Sequence, residues 1–296
     1  MDAKLYGIIK KYIYDYLEQI ENDKVRKNRG EEEIVVKNSI PIVWFGDMEE
    51  FIKTKNFNDK RKRVITIAAN PSNQEFPIGN RRFDIVKLDD FYNLDSLEQS
   101  KRIDALAKTW NNYFNFNPYM GWFNSYESIL NGFNASYFTK NWNQYVTIHI
   151  DLYSAVATNP TWSNLKTEQR KQLSKNELIE NLLEYLDPDI VLYSSDQKGF
   201  NDLKMFFKSL NFNFQFVREY CKDKILSKSN SVVLQINNSL LNSNYLRVYK
   251  DEKNDRFIFW GKNISKPFTV FNASARTEII KSELKGRSAD ISIQYK

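Results

Sequence analysis

The sequence predicts an α/β protein built as a three-layer α/β/α sandwich around a central, mostly parallel four-stranded sheet. Short, nearly all-apolar runs recur along the chain, as expected of strands buried on both faces of a parallel sheet. Segments with apolar residues at three- and four-residue spacing, which is typical of amphipathic helices, separate these runs. Strands that alternate with helices in this way are the pattern of α/β folds.

Composition narrows the function classes. Of the 296 residues, 42% are hydrophobic and 15% are aromatic, which supports a sizeable core and argues against disorder. The single cysteine and the single histidine, Cys221 and His149, cannot form an internal disulfide, a usual zinc site or a four-cysteine iron–sulfur cluster. We therefore expect metal-independent chemistry with no cofactor, and a structural role for His149.

Charge and hydropathy suggest the partner and the compartment. The net charge of +6 is modest and favours a polyanionic partner such as DNA. No stretch approaches the roughly 18 apolar residues of a membrane span, and the N-terminal segment has no signal-peptide core. We therefore expect a cytoplasmic protein with no membrane partner. No obligate protein partner is evident in the sequence.

The order of the elements divides the chain into two parts. Residues 1–37 are expected to form an N-terminal helical extension, with a helix over residues 3 to about 20 that the polar run 21–33 ends. Residues 38–296 are expected to form the α/β domain, with an aromatic-rich insertion around 95–145.

Apolar runs and periodic segments predict the individual strands and helices. Two β-branched and aromatic segments, 34–36 and 40–45, suggest a strand that leads into a helix over 49–53. The parallel strands are predicted at Val64–Ala69, Tyr145–Ile150, Asp189–Ser194 and Phe268–Phe271. Further helices are predicted over residues 97–110, 174–186, 201–209 and 277–284, and a β-like region over 231–260.

Three polar loops, residues 68–77, 149–162 and 271–276, follow predicted strands. Ligands of parallel α/β sheets bind in the crevice beyond the carboxyl ends of the strands, so we expect these loops to meet at one site. Each loop is rich in short amide, hydroxyl and carboxylate side chains. An ordinary Asx-type turn is the alternative for any one such loop taken alone.

Two of these loops resemble motifs of a known enzyme family. Residues 68–72 (Ala-Ala-Asn-Pro-Ser) and 272–276 (Asn-Ala-Ser-Ala-Arg) are similar to the first and last motifs of the uracil-DNA glycosylase superfamily. The likeness is greatest to its thymine/mismatch-type and single-strand-selective branches, whose first motif has the form Gly-x-Asn-Pro-Gly. Ala68 and Ser72 depart from that form, and Asn272 stands where the uracil-specific enzymes have a histidine.

The resemblance implies a DNA glycosylase, an enzyme that hydrolyses the N-glycosidic bond of a flipped-out base and leaves an abasic site. It implies that Asn70 positions the attacking water, with Asn272 as the second catalytic candidate. The flipped base would stack on Phe76 or on Phe83. The candidates for binding DNA phosphates are Ser72, Ser274 and Arg276.

Structural roles are the alternatives for these residues. Asn70 could form a turn, Phe76 could belong to the core, and the two serines could cap helices. The basic loops around Arg61, Arg81 and Arg276 are expected to hold the DNA backbone, which predicts binding that weakens steeply with salt.

Asp151, at the end of the second strand, suggests the substrate. An ionised carboxylate can only accept hydrogen bonds, which suits the N4 amino group of cytosine and repels O4 of uracil. The sequence therefore predicts a cytosine-type target, and the aromatic insertion suggests an enlarged one, such as a hypermodified viral cytosine. Excision of such a base would serve antiviral defence.

Other readings of Asp151 and of the site stay open. The residue could instead cap its loop. The alternatives for the protein are a uracil or mismatch repair glycosylase, a non-catalytic reader of modified nucleic acid, and a small-molecule hydrolase.

Overall fold

One mixed β-sheet organises the chain in the computed structural model, which describes residues 1–55, 59, 61–79, 81–138, 145–221, 224–227, 245–262, 268 and 273–284. The strands are β1 Lys62–Ala68, β2 Tyr145–Asp151, β3 Ile190–Ser194, β4 Gln215–Cys221, β5 Lys224–Ser227, β6 Tyr245–Asp251 and β7 Arg256–Gly261. Across the described residues their order in the sheet is β2-β1-β3-β7-β6-β4-β5.

The sheet has a parallel half and an antiparallel half. β2, β1, β3 and β7 are parallel to one another, whereas β6, β4 and β5 add antiparallel strands beside β7. The predicted α/β class is confirmed, but the predicted number of strands is wrong, because the described sheet has seven. Buried and half-buried residues alternate along β6, so this half lacks the continuous apolar runs that revealed the parallel strands.

The fourth parallel strand among the described residues is β7, which the sequence placed only within a β-like region, whereas most of the predicted strand Phe268–Phe271 lies outside the described residues. β7 pairs with the whole of β3 through its residues Phe257 to Gly261. Of the predicted segment the structure describes Phe268, which lies in a turn with a φ of 54°. Residues 269–271 lie outside the described part of the chain. A Cβ on Gly261 would lie 2.5 Å from the Phe268 ring, so this aromatic residue packs on the end of β7.

In the described part of the chain, helices precede β1, connect several of the strands and follow β7. They are α1 Ala3–Asn28, α2 Met48–Lys53, α3 Ser96–Asn111, α4 Tyr113–Phe116, α5 Met120–Leu130, α6 Thr167–Leu173, α7 Asn176–Leu186, α8 Gln197–Ser209 and α9 Ala273–Leu284. Helices stand at every predicted helical position. None of the helices described is long and apolar enough to cross a membrane.

The N-terminal helix is longer than predicted, because part of its polar run is buried. Asp23 accepts hydrogen bonds from the backbone N–H groups of Ile34 and Val35, at 2.8 and 2.7 Å, and Arg26 pairs with Asp23 at 2.7 Å. These bonds stabilise the last turns of the helix, which ends at Asn28, and hold the chain that follows against it. The apolar face of α1 packs into the same hydrophobic core as the sheet and contacts α7.

Residues 34–45 turn at Asn38, which has a φ of 57°, and do not form the predicted strand. They make isolated bridges, Val35 with Thr158 and Phe45 with His149. Backbone N–H groups of Val36 and Ile42 also donate to the loop after β2, both at 2.9 Å. This segment therefore supports the loop that follows β2, at the carboxyl end of the parallel strands.

Candidate functional site

A cleft of about 1800 Å³ opens at the carboxyl ends of the parallel strands. It is lined by Ala68 at the end of β1, Asp151 at the end of β2, Ser194 at the end of β3 and Lys262 just after β7. Residues of α1, α7 and α8 form its outer walls. This is the edge of the sheet at which parallel α/β proteins bind their ligands, and two of the three predicted loops meet there.

The amide of Asn70 is fixed at the wall of this cleft. Its Nδ2 donates to the carbonyl oxygens of Pro71 and Val156, at 2.9 and 3.1 Å, and to Oγ1 of Thr158 at 3.0 Å. Carbonyl oxygens only accept hydrogen bonds, so these partners determine which side of the amide is the NH₂ group. Among the described residues Oδ1 has no hydrogen-bond partner, which leaves an oriented acceptor on a residue that lines the cleft.

Ser72 lies two residues further along the same loop and also lines the cleft. Its Oγ accepts from the backbone N–H of Gln74 at 3.1 Å, and its backbone bridges to Thr158. The hydroxyl therefore caps the short 3-10 turn Asn73–Glu75, while the bridge ties the loop after β1 to the loop after β2. This bracing keeps the backbone around Asn70 in one position.

Asp151 is buried at the inner end of the cleft. Its side chain is 2% exposed, and the buried Oδ2 has no hydrogen-bond partner among the described residues. Burial, followed by the charge of Glu75, raises the pKa of Asp151 well above its usual range. The nearest basic group is Nε2 of His149, 3.9 Å from Oδ1. A carboxyl group in this environment favours its protonated form.

His149 has a structural hydrogen bond, in line with its expected role. Its Nδ1 lies 2.7 Å from Oγ1 of Thr66, which also contacts the hydroxyl of Tyr137. Burial lowers the pKa of His149 to about 3, so the ring is neutral near pH 7. A neutral ring supplies no positive charge to ionise Asp151.

Glu75 is a second buried carboxyl at the cleft, and it was missing from the predicted site. It is 4% exposed, and its Oε2 accepts from the hydroxyl of Tyr113 at 2.6 Å. Burial raises the pKa of Glu75 to about 7. The sequence places it in the first polar loop, five residues after Asn70. Its burial depends on Tyr113 of α4, which is remote in sequence and gave no signal.

Phe76 and Phe83 do not line the cleft. Their rings stack on each other at 5.5 Å, and the Phe83 ring stacks on that of Tyr113 at 5.0 Å. These aromatic side chains form a stack behind the loop that carries Glu75, where they support the buried carboxyl.

A different pair of rings lies at the cleft. The rings of Trp162 and Tyr153 stack at 5.2 Å with an interplanar angle of 5°. The hydroxyl of Tyr153 donates to Asp202 at 2.8 Å, which fixes that ring. Trp162 ends the second predicted loop, but nothing in the sequence distinguished it from the other tryptophans.

The charged residues of the cleft have both signs. Its cations are Lys11, Arg170, Lys171, Lys175, Lys198 and Lys262, and its acids are Asp15, Glu18, Glu75, Asp151, Glu177, Asp196 and Asp202. Several of these pair with one another across the rim, as Lys175 does with Asp15 at 3.5 Å. Within the described residues, no ion pair involves Arg170 or Lys198, so these two cations are free to bind an anion.

The remaining predicted residues either lie away from the cleft or fall where the structure describes no side chain. Arg61 precedes β1 at the opposite end of the sheet and pairs with Asp59 and Glu50 at 2.6 and 2.5 Å, so its predicted contact with the DNA backbone is not supported. Arg81 is exposed and is not among the residues that line the cleft. Ser274 and Arg276 lie in α9, where the structure describes the backbone only, and Asn272 lies outside the described residues.

Comparisons with known proteins add no assignment: no family model, curated protein or solved structure matches this chain. The part of the chain that the structure describes holds no cluster of three or more His, Cys, Asp or Glu side chains able to bind a metal ion.

Proposed function

We propose that this chain is a DNA glycosylase, which binds a base flipped out of DNA in the cleft and hydrolyses its N-glycosidic bond to leave an abasic site. The observation that carries the proposal is the amide of Asn70. Three acceptors hold its Nδ2, and its Oδ1 remains as an oriented acceptor on the cleft wall. A water that donates to Oδ1 would be aimed at the anomeric carbon of a sugar in the cleft.

This arrangement suits glycosidic hydrolysis because the reaction passes through an oxocarbenium-like sugar. Such a centre needs a positioned water and nearby negative charge more than it needs a strong nucleophile. The proposal includes the three-layer arrangement, which would place helices on both faces of the sheet, and a phosphate contact from Arg170 or Lys198 at the rim.

The substrate proposal is a cytosine-type base, but the charge state of Asp151 changes the reason for it. A protonated carboxyl has both a donor and an acceptor, so it can pair with N3 and the N4 amino group of cytosine together. It can pair equally well with N3–H and O4 of uracil, so the repulsion expected from an ionised Asp151 does not discriminate between them. Cleft size gives separate support, because about 1800 Å³ exceeds the roughly 300 to 1,000 Å³ of common ligand pockets. An enlarged cytosine, such as a glycosylated viral one, would use that room, and its excision would serve antiviral defence.

A second candidate follows from the charges of the cleft. Six basic and seven acidic residues line it, which is unlike the strongly positive surface of most DNA-binding sites. This balance favours hydrolysis of a small, neutral N-glycoside such as a free nucleoside.

A panel of substrates separates these functions. The protein would be incubated with oligonucleotides that carry uracil, cytosine, hydroxymethylcytosine or glycosylated hydroxymethylcytosine, and with the matching free nucleosides. Alkali cleavage at abasic sites reports excision from DNA, and chromatography reports the released base. We expect excision of a modified cytosine from DNA. Excision of uracil alone would contradict the substrate proposal, and cleavage of nucleosides alone would favour the second candidate. Tight binding without any cleavage would leave a non-catalytic reader.

A further inference from the structure

Two buried carboxyl groups, Glu75 and Asp151, lie on neighbouring strand-end loops of the same cleft. Ala68 is opposite Asp151 where β1 pairs with β2, and the backbone N–H of Leu152 donates to the carbonyl of Ala68 at 2.9 Å. The turn that carries Glu75 begins five residues after Ala68 and is bridged to the loop after β2 through Ser72. The fold therefore holds the two groups together at the inner end of the cleft.

The surroundings of Glu75 and Asp151 differ, and the difference favours an ionised Glu75 and a protonated Asp151. Glu75 receives a hydrogen bond from Tyr113 and faces the positive charge of Arg82, and both favour its ionised form. Asp151 faces neutral His149, the hydroxyl-bearing residues Tyr12 and Tyr126, and Glu75 itself, and none of the cations that the structure describes pairs with it. When the pair holds one proton, the proton belongs on Asp151 and the negative charge on Glu75.

The two groups also lie at different places relative to the reacting atoms. Glu75 is in the same loop as Asn70, and its hydrogen bond to Tyr113 uses Oε2, so Oε1 is the oxygen left for the water that Asn70 would orient. Asp151 lies at the end of the neighbouring strand β2, where an extruded base would enter, and its Oδ2 has no partner among the residues described. The carboxyl group of Glu75 would therefore face the attacking water, and that of Asp151 would face the departing base.

We propose that Glu75 and Asp151 form the acid–base pair of the reaction, with Asp151 as the acid that protonates the departing base and Glu75 as the base that receives the proton of the water. This rests on the proposed glycosidase function. The C1′–N1 bond breaks and its electron pair stays with the base, while the proton of Asp151 goes to N3. The water oxygen bonds to C1′ and its proton passes to Glu75. Proton exchange with solvent restores the starting state, with Asp151 protonated and Glu75 ionised.

This division of roles also defines the substrate class. N3 of cytosine carries a lone pair that can accept a proton as the base leaves, whereas N3 of uracil already bears a hydrogen. An acid placed at N3 therefore accelerates departure of cytosine and of cytosines modified at C5, and offers nothing at N3 of uracil. The preference for cytosine then arises in the transition state and not from ground-state hydrogen bonding.

Single-turnover excision rates measured across pH test the pair in wild-type protein, Glu75→Gln and Asp151→Asn. General acid or base catalysis contributes about 10² to 10⁴-fold, so each variant should lose a rate factor in that range. We expect a bell-shaped wild-type profile, loss of its acidic limb in Glu75→Gln and loss of its alkaline limb in Asp151→Asn. Formate should partly restore the rate of Glu75→Ala, since a small carboxylate can occupy the vacated place. A structural role for Glu75 would show no such rescue.

A second measurement keeps the pair testable without catalysis. Carbon-13 NMR of the side-chain carboxyls in the free protein follows the titration of Asp151, and Glu75→Gln should lower its midpoint by removing the negative charge that faces it. Active wild-type protein whose variants keep the wild-type pH profile would overturn the pair and leave the glycosidase proposal intact. If the wild type cleaves no substrate, the glycosidase proposal and the acid–base roles fail together. An unchanged Asp151 midpoint in Glu75→Gln would refute the coupling itself.

Discussion

The two ends of the parallel strands differ in whether their acidic side chains are paired with arginine. At the amino end, Arg63 pairs with Asp187 and Asp189 at 3.0 and 3.1 Å, and Arg256 pairs with Asp187 at 2.5 Å. Although burial acts to raise it, the pKa of Asp187 is lowered by these arginines. At the carboxyl end, Asp151 and Glu75 are buried with no cation paired to them in the part of the chain that the structure describes, and burial raises the pKa of both.

The difference shows where this fold gains stability and where it loses some. A buried carboxylate matched by arginine stabilises the ionised, folded state, whereas an unmatched one must give up its charge or destabilise the protein. Perturbed carboxyl groups that collect in a cleft are typical of functional sites. We therefore expect that some substitutions in the cleft stabilise the protein and abolish activity. At the amino end, we expect substitutions that destabilise the protein and leave activity unchanged.

Loss of the Asn70 amide should produce the largest effect. Asn70→Ala removes the oriented acceptor, so the single-turnover excision rate should fall by about 10²-fold or more, by analogy with removal of one positioned hydrogen-bonding group from other active sites. Circular dichroism and urea unfolding would establish that the variant folds. A wild-type rate in a folded Asn70→Ala would show that Asn70 does not position the water, and Asn272 would be tested next.

Substitution at the amino end should cost stability and spare activity. Arg63→Met leaves Asp189 and part of Asp187 without their cation, so the free energy of unfolding should fall by about 2 kcal/mol, between the values for exposed and buried ion pairs. Urea unfolding measures this loss. The excision rate should stay at the wild-type value because Arg63 lies at the opposite end of the sheet from the cleft. A matching loss of rate would mean that the two ends are coupled.

Glu75→Gln should remove a pH dependence of stability. Since the folded pKa of Glu75, about 7, lies above its ordinary value of 4.5, the folded state binds the extra proton between these values. Wild-type stability should therefore fall as pH rises through that window, by at most about 3 kcal/mol from this group. The variant should gain stability relative to wild type when urea unfolding at pH 8 is compared with pH 5. A constant difference across pH would contradict the raised pKa.

Trp162→Ala tests which aromatic rings touch the ligand. Base stacking is worth about 1 to 3 kcal/mol, so the variant should bind the substrate about 5 to 150-fold more weakly. Phe76→Ala is the matched control, because Phe76 lies outside the cleft and should affect stability more than binding. Fluorescence anisotropy with a labelled oligonucleotide measures both. Weaker binding by Phe76→Ala alone would restore Phe76 as the stacking residue.

The smallest effect should be on the salt dependence of DNA binding. Each phosphate contact removed should flatten the slope of log K against log salt by about 0.7 to 0.9. We expect this for Arg170→Gln and Lys198→Gln at the cleft and not for Arg61→Gln, whose side chain is held by Asp59 and Glu50. A salt-independent affinity in the wild type would remove DNA as the partner.

The sequence by itself determined three of the four parallel strands, β1, β2 and β3, and the edge at which the cleft lies. Val64, Ile65 and Ile67 in β1 are fully buried, as their unbroken apolar run indicated, because a strand covered on both faces has no polar side to interrupt the pattern. The loops that contain Asn70 and Asp151 follow directly from the ends of such strands. Half-exposed strands such as β6 carry a weaker pattern, so β6 was predicted only as part of the β-like region 231–260, and β4 and β5 were missed.

Only the tertiary structure decided the charge states and the partners inside the cleft. Glu75 is buried because Tyr113 and its stacked neighbours close over it, and the pKa of Asp151 is raised because it is buried with no cation paired to it among the described residues. Arg61 is unavailable to DNA because Glu50 lies beside it. Each of these facts depends on groups brought together from distant positions, and desolvation and pairing energies depend on that neighbourhood and not on residue type.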